Sequence, residues 1–363
     1  MLLSRRLVAE AELRRIVARE PGITMLIGDA VTGLQVSPGG AVPVVTGVHL
    51  RSGGRVDADV VVDAGGRRSA LPEWFAASGL PIPIEERQEC GFFYLTRFYA
   101  VRRGCQPPES KMPASMPLDY ATVLAMGADN DTFSLTVTLS VDDPFRSALR
   151  ESDRFDAFVR AVPHSAPWID AGVPISDISM MARIENRRRR ITSGNGPMVG
   201  GIVLLGDAAL HTNPTLGRGI SMGLMHAQHL AEVVHLAVDD PAGFVESFSA
   251  WTDEHLGVWY DSQVAADANT LERLAAGVRG ERVTAVDTPA TRFAAAAFAC
   301  AAHNEVVGTA VAKMLHLFAP PHEAFGDPSV AVPITEFLAS GPSLDRPPDI
   351  PNRKAFESML SAE

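Results

Sequence analysis

The stretch GIVLLGDAALHTNPTLGRGIS, residues 201–221, constrains this chain more than any other. An apolar run from Ile202 to Leu205 stops on Gly206-Asp207-Ala208, turns through Asn213-Pro214, and meets Gly217-Arg218-Gly219-Ile220 where a helical pattern begins. All-apolar strands that end on small residues belong to parallel sheets, and their carboxyl ends are where such sheets hold ligands. Gly206 and Ala208 give a ligand close access to the backbone, and Asp207 supplies a carboxylate suited to a polyol hydroxyl. Pro214 stiffens the turn. Gly217 and Gly219 present bare N–H groups at a helix N-terminus, which stabilises negative charge. Such a turn also occurs without a ligand, and Gly-x-Gly alone says little. It is the combination of aspartate, proline and two glycines that favours a bound molecule.

The remaining periodicities divide the chain around this turn. Residues 6–19 predict an amphipathic helix ended by Pro21-Gly22, and ITMLIG (residues 23–28) a short buried strand. Ser52-Gly53-Gly54 predicts a hairpin between strands near 44–50 and 55–63, the second running into DVVVDAGG and stopping at Gly65-Gly66. After Gly79 to Pro83, CGFFYLTRFYAVR and DTFSLTVTLSV predict a separate sheet, broken by a loop from Gly104 to Pro117. DRFDAFVRAV reads as a helix with Asp153 as a cap, and ISDISMMARIENRRRRI as one strand or a pair. Helical patterns dominate from Pro241 to Pro320, ahead of a proline-rich tail. A chain that leaves one α/β unit and returns to it places its crevice between the two.

Composition excludes several classes. A net charge of −11 provides no basic field for a nucleic-acid partner. Three scattered cysteines make neither a disulfide framework nor a zinc site, and suit a reducing cytoplasm. No secretory signal opens the chain, and FAAAAFACAA (residues 293–302) is far below the ~20 residues that span a bilayer. His211, His226, His229 and His235 lack a completing ligand pattern for a metal and read as exposed or capping, with His211 inside the turn placed near a ligand or substrate. Arg187 to Arg190 read as a solvated strand end. Ser4, Ser69 and Ser221 have no nucleophile-elbow context.

LLGDAALHTNPTLGRGIS resembles the second FAD motif of flavoprotein monooxygenases of the para-hydroxybenzoate hydroxylase type. The resemblance implies that Asp207 binds the ribityl chain, that Pro214 lies beside the isoalloxazine, and that the backbone of Gly217, Arg218, Gly219 and Ile220 faces the flavin pyrimidine. ADVVVDAGGRRSALP resembles the family's middle motif, with Gly65, Gly66 and Ser69 at its positions and Gly65 in place of the family aspartate. LSRRLVAEAELRR resembles the helix carrying a flavin-facing arginine, matched best by Arg5. The implied fold class is α/β: an N-terminally incomplete, Rossmann-like FAD/NAD(P)-binding domain (residues 1–80, resumed at 193–240), an inserted β-rich substrate domain (81–192) and a helical C-terminal region (241–363). Tyr94, Arg97 and Tyr99 are the substrate-side candidates, with Arg97 and Tyr99 on one face of their strand and Tyr94 on the other. Ordinary sheet packing is the alternative for all three.

The implied activity is an FAD-dependent oxidoreductase, foremost a monooxygenase. It would use NAD(P)H as a transient reductant and hydroxylate a small aromatic, polyketide-like or isoprenoid substrate. Reduction of an unsaturated bond, as in the geranylgeranyl-reductase branch, is the alternative within the fold, and a non-catalytic binding or accessory protein the rival outside it. Trp74, Trp168, Trp251 and Trp259 lack the W-x-W-x-I-P arrangement of flavin-dependent halogenases. The family's opening G-x-G-x-x-G unit has no counterpart here. Three explanations stand: a start further upstream, a separate chain completing the site, or a degenerate homologue. Residues 23–28, 59–66 and 201–206 are then expected to have exposed edges.

Overall fold

The computed structural model describes residues 4–38, 40–108, 114–281, 289–341 and 350–361. Its first helix, α1 (Arg6–Val17), has the expected amphipathic pattern but buries nothing: Leu7, Leu13, Ile16 and Val17 are all exposed. Residues 23–28 do not form the expected buried strand. They have no ladder partner among the described residues, and Ile23, Met25, Leu26 and Ile27 are exposed. An apolar run becomes a strand only where a neighbour takes its backbone hydrogen bonds.

β1 (Val31–Ser37), β2 (Val44–Leu50) and β3 (Arg55–Asp57) form an antiparallel ribbon in that order. The strand expected at 55–63 is two strands. Its polar half, β3, stays at the exposed edge of the ribbon, while its apolar half, β4 (Val61–Asp63), crosses to pair in parallel with residues 202–204. α2 (Leu71–Ala77) follows and buries Leu71 and Phe75 in the core shared with Leu34, Val45 and Ile202.

β5 (Ile84–Glu89) leads into the larger sheet of β6 (Phe92–Val101), β7 (Ser115–Pro117), β8 (Thr122–Gly127) and β9 (Thr132–Ser140). The long strands expected from FFYLTRFYAV and TFSLTVTLS are neighbours, with Tyr94 opposite Thr138 and Tyr99 opposite Phe133. α3 (Ser152–Ala161) has Glu151 at its N-cap position, and Asp153 lies inside its first turn without capping it. α4 (Ala166–Ala171), β10 (Gly172–Pro174) and β11 (Ser179–Met181) follow, and the sheet runs β10-β6-β9-β8-β7 with β11 also on β6. One face is a closed core: Leu95, Tyr99, Phe133, Leu135 and Val137 meet Phe155 and Phe158 of α3 and Trp168 of α4. The other face presents Thr96, Phe98, Leu124, Met126 and Ser134, all half-buried.

The arginine run is not a solvated strand end. It lies on β12 (Glu185–Arg190), paired on one side with β5 and on the other with residues 210–211, with Arg188 and Arg189 buried. Arg188 reaches Asp261 at 2.6 Å, Arg189 reaches Glu85 at 2.7 Å, and Arg190 reaches Asp253 at 2.8 Å. Acidic partners distant in sequence neutralise the charge density that a local reading assigns to water.

β13 (Thr192–Ser193), β14 (Gly196–Pro197), β15 (Ile202–Leu204) and β16 (Leu210–His211) precede the long helices α5 (Gly219–Val233), α6 (Pro241–Trp251) and α7 (Gly257–Val278). Then come α8 (Pro289–Ala301), α9 (Glu305–Leu315), α10 (Pro321–Ala324), α11 (Pro328–Ala339) and α12 (Arg353–Ser361), so helices continue beyond Pro320. Pro321 and Pro328 sit in first turns, where a missing N–H costs nothing. α8, α9 and α11 share a core of their own, whereas α12 inserts Phe356 and Leu360 into the core of the large sheet. No helix among the described residues is long and apolar enough to cross a membrane.

α12 is fixed by Arg353, whose Nη1 lies 2.5 Å from Oδ2 of the fully buried Asp143. Removing one member of such a pair strands the other charge. Arg353→Met is therefore expected to lower stability by about 3 kcal/mol in urea unfolding. The double variant R353M/D143N should recover part of that loss.

Candidate functional site

The parallel pair of β4 and β15 ends in two glycine turns side by side. In the first, the buried Asp63 accepts Gly65 N–H at 2.9 Å and Ser69 Oγ–H at 2.5 Å, while Ser69 Oγ accepts Leu71 N–H at 3.1 Å. A Cβ on Gly65 would lie 3.0 Å from Asp63 Oδ1. Gly66 has φ +68°, and a Cβ there would lie 3.8 Å from Asp207 Cβ. The middle motif and the Gly-Asp motif thus meet, with glycine where any side chain would stand against the aspartate.

The second turn is bound from behind. Gly206 donates its N–H to His226 Nδ1 at 3.1 Å, His226 Nε2 lies 2.9 Å from Thr252 Oγ1, and Thr252 donates to the Phe248 carbonyl at 2.8 Å. Because Nδ1 accepts and the Thr252 hydroxyl is committed to a carbonyl, His226 is the neutral Nε2–H tautomer. Burial and neighbouring His229 pull its pKa down to about 4. His226 is fully buried, and His229 stacks on Trp251 with centroids 3.9 Å apart, so neither is the exposed or capping histidine expected. Ala208 is buried beneath the turn. The Asp207 side chain keeps 46% of its exposure, and His211 Nδ1 lies 3.0 Å from its Oδ2.

The third turn carries Asn213 and Pro214 to α5. The Asn213 side chain accepts Thr215 N–H at 3.2 Å, and Gly217 adopts φ +64°, a left-handed position open to glycine at no steric cost. α5 begins at Gly219 without a side-chain cap, leaving its first N–H groups without intrahelical acceptors. Pro214, Gly217, Gly219 and Ile220 are exposed around this open end, and a Cβ on Gly219 would lie 3.8 Å from Asp207 Oδ1. Arg218 points away into the interior. Its guanidinium lies over Trp259 at 5.0 Å and donates to the Met314 carbonyl at 3.3 Å, with Nε and Nη1 buried and without partners among the described residues. Burial pushes its pKa down.

A buried polar network fixes the third turn. Asp267 of α7 accepts from Asn186 at 2.7 Å, Asn213 at 2.7 Å and Gln263 at 2.9 Å, and Asn213 N–H donates to Asn186 Oδ1 at 2.8 Å. Burial pushes the Asp267 carboxyl up. The Tyr94 hydroxyl bonds to Asn213 Oδ1 and Thr215 Oγ1, joining the large sheet to the turn, and burial pushes this phenol up. Of the substrate-side candidates, the structure brings Tyr94 to the turns. Arg97 and Tyr99 occupy the opposite face, where Asp156 of α3 takes them at 2.9 and 2.7 Å. Arg5 lies at the turn between β8 and β9, its Nη2 on Asp129 at 2.7 Å.

The sequence reading missed Asp267, Gln263 and Asn186. A signal for the first two exists: Tyr260, Gln263, Asp267, Leu271 and Leu274 recur at helical spacing, a polar pair within an apolar stripe. Among the described residues, no group of three or more His, Cys, Asp or Glu side chains could hold a metal ion.

No family model matches the sequence. Rv3254 of Mycobacterium tuberculosis is 29% identical over 186 residues, 48% of this chain and 36% of that protein. The match therefore spans about a third of the length of this curated relative. Flavin-dependent brominase Bmp2 has a TM-score of 0.58 at 16% identity, over 93% of this chain and 74% of its own. PqsL of Pseudomonas aeruginosa, described as a probable FAD-dependent monooxygenase, scores 0.53 at 17% identity, over 75% of this chain and 72% of its own. OxyS anhydrotetracycline hydroxylase of Streptomyces rimosus scores 0.50 at 17%, over 78% and 54%. The chain has the α/β fold of these flavin-dependent enzymes.

His226 gives a pH test of the second turn. Its folded pKa lies below the ordinary value near 6.5, so an unfolded chain takes up a proton that the native imidazole refuses as pH falls. Its contribution is intact above about pH 6.5 and is lost on the way down to about 4. Between pH 7 and 5 the wild type should lose about 2 kcal/mol more unfolding free energy than His226→Gln, measured by urea titration.

Proposed function

We propose that this chain holds the flavin end of FAD and serves an oxidoreductase, foremost a monooxygenase acting on a small organic substrate. The observation that carries this reading is the convergence of three glycine turns on Asp207, at the open N-terminus of α5. The residues fit the group. Gly66 and Gly219 leave room on either side of the carboxylate, and an uncapped helix end supplies donors for the negative charge that a reduced flavin carries. Asp207 would accept a ribityl hydroxyl, Pro214 would border the ring, and the N–H groups of Gly219 and Ile220 would face its pyrimidine edge. Gly65, Gly66 and Ser69 would shape the neighbouring wall. When bound, the flavin supplies two-electron transfer and oxygen activation, and the protein supplies position and field.

Substrate would lie on the half-buried face of the large sheet, over Thr96, Phe98, Leu124, Met126 and Ser134. No charged side chain stands among these five, which favours a neutral, largely apolar molecule with a few hydrogen-bonding groups, of aromatic, polyketide or isoprenoid type. The likeness to PqsL, a probable FAD-dependent monooxygenase, and to OxyS, a hydroxylase, supports oxygen insertion. NAD(P)H is the proposed transient reductant and the cytoplasm the proposed location. Arg5 would have to leave Asp129 to meet a flavin. Support for a further segment or separate chain against α1 and residues 23–28 comes from the exposure of their apolar side chains.

Titration of the purified chain with FAD, followed by flavin fluorescence and absorbance, tests the reading. A yellow complex is expected, with Asp207→Ala weakening it ~10–100-fold, the worth of one hydrogen bond to a charged group. A colourless protein that stays apo in excess FAD would favour a non-catalytic accessory protein.

A further inference from the structure

We infer that His211 is a positioning residue for Asp207, acting on flavin retention through that carboxylate. This rests on the reading that Asp207 accepts a polyol hydroxyl. Asp207 sits on a turn with nearly half of its side chain exposed, and a carboxylate so placed is free to rotate unless something holds it. His211 is placed to do so. Its Nδ1 lies 3.0 Å from Asp207 Oδ2, and its own side chain is only 12% exposed.

The backbone behind the imidazole is fixed. β16 is only two residues long, yet both pair with β12, Leu210 with Arg188 and His211 with Arg187. Arg187 in turn donates to the carbonyl of Arg67 at 2.7 Å, in the first glycine turn. One strand therefore holds both the histidine and the wall opposite the aspartate. An Nδ1–H given to Oδ2 fixes the carboxylate plane and leaves Oδ1 toward Gly219, at the open end of α5. That oxygen is then the one offered to a ligand hydroxyl. His211 contributes no contact of its own to the flavin. It removes a rotational freedom that binding would otherwise have to freeze.

The test is a double-mutant cycle on FAD affinity with the full chain, read by quenching of flavin fluorescence. His211→Leu is expected to weaken binding about tenfold, the worth of one hydrogen bond. D207A/H211L should bind no worse than D207A alone, since the histidine has nothing left to hold. His211→Gln, which restores a donor, should stay within about threefold of wild type by the same hydrogen-bond scale. Three results would overturn the assignment: H211L equal to wild type, losses that multiply in the double variant, or His211→Gln as weak as H211L. Multiplied losses or a failed rescue would mean that the turn itself had been disturbed. A wild type that fails to bind FAD at all overturns the flavin reading and this inference with it. A wild type that binds, with D207A weakened and H211L unaffected, removes only the inference.

Discussion

A single carboxylate, with no cationic partner among the described residues, holds the turn before α5 in place. Asp267 is 3% exposed and is met by amide donors from three parts of the chain: Asn186 on β12, Asn213 in the turn before α5, and Gln263 one helical turn earlier on α7. Burying a carboxylate is costly, and enough fixed donors offset that cost. The donors cannot reverse roles. Asn186 Oδ1 already accepts Asn213 N–H, and Asn213 Oδ1 already accepts Thr215 N–H and the Tyr94 hydroxyl, so both amides must point their NH2 groups at Asp267. The orientation of the Asn213–Pro214 turn follows from this arrangement, and with it the direction in which α5 begins.

Two further arrangements bring the other turns to the same place. His226 ties the Gly206 amide to Thr252 beneath the Gly-Asp turn, and Asp63 spends both carboxylate oxygens on the Gly65-Gly66 turn. The arginines of β12 complete the frame from the side, with Arg187 on the Arg67 carbonyl and Arg188 over Tyr260 at 4.4 Å. The exposed groups around Asp207 are backed by Asp63, His226 and Asp267, whose polar atoms are hydrogen-bonded, while the β12 arginines keep buried nitrogens, Nε of Arg187 and Arg188 among them, without partners among the described residues. Preorganisation of this kind lets a loop present bare amides without collapsing onto them.

What could be read from the sequence was local. The apolar run ending in Gly206-Asp207 and the glycines at 217 and 219 carry their meaning within some twenty residues. The alternation in FFYLTRFYAV separates Tyr94 from Arg97 and Tyr99 correctly because a strand's period is two. What could not be read depended on distant partners. Arg187 to Arg190 look solvated until Glu85, Asp253 and Asp261 are brought beside them. His226 looks like a surface histidine on α5 until Thr252 and the Gly206 amide enclose it. Residues 23–28 look like a strand because apolar periodicity records a preference for burial and is silent on whether a neighbour exists to grant it.

The docking of α12 has a bearing on how the chain folds during synthesis. The Tyr120 hydroxyl donates to the Pro351 carbonyl, 231 positions away, and the Tyr120 ring lies 4.7 Å from that of Phe356. α3 and α4 cover much of the apolar face of the large sheet soon after its ladder is complete, but the part around Tyr120 stays open until α12 has been made. At ordinary elongation rates that is an interval of roughly ten seconds or more, long enough for a bare aromatic surface to attract other nascent chains. That strip of core, on the face away from the one proposed to receive substrate, therefore needs cover while the protein is being made.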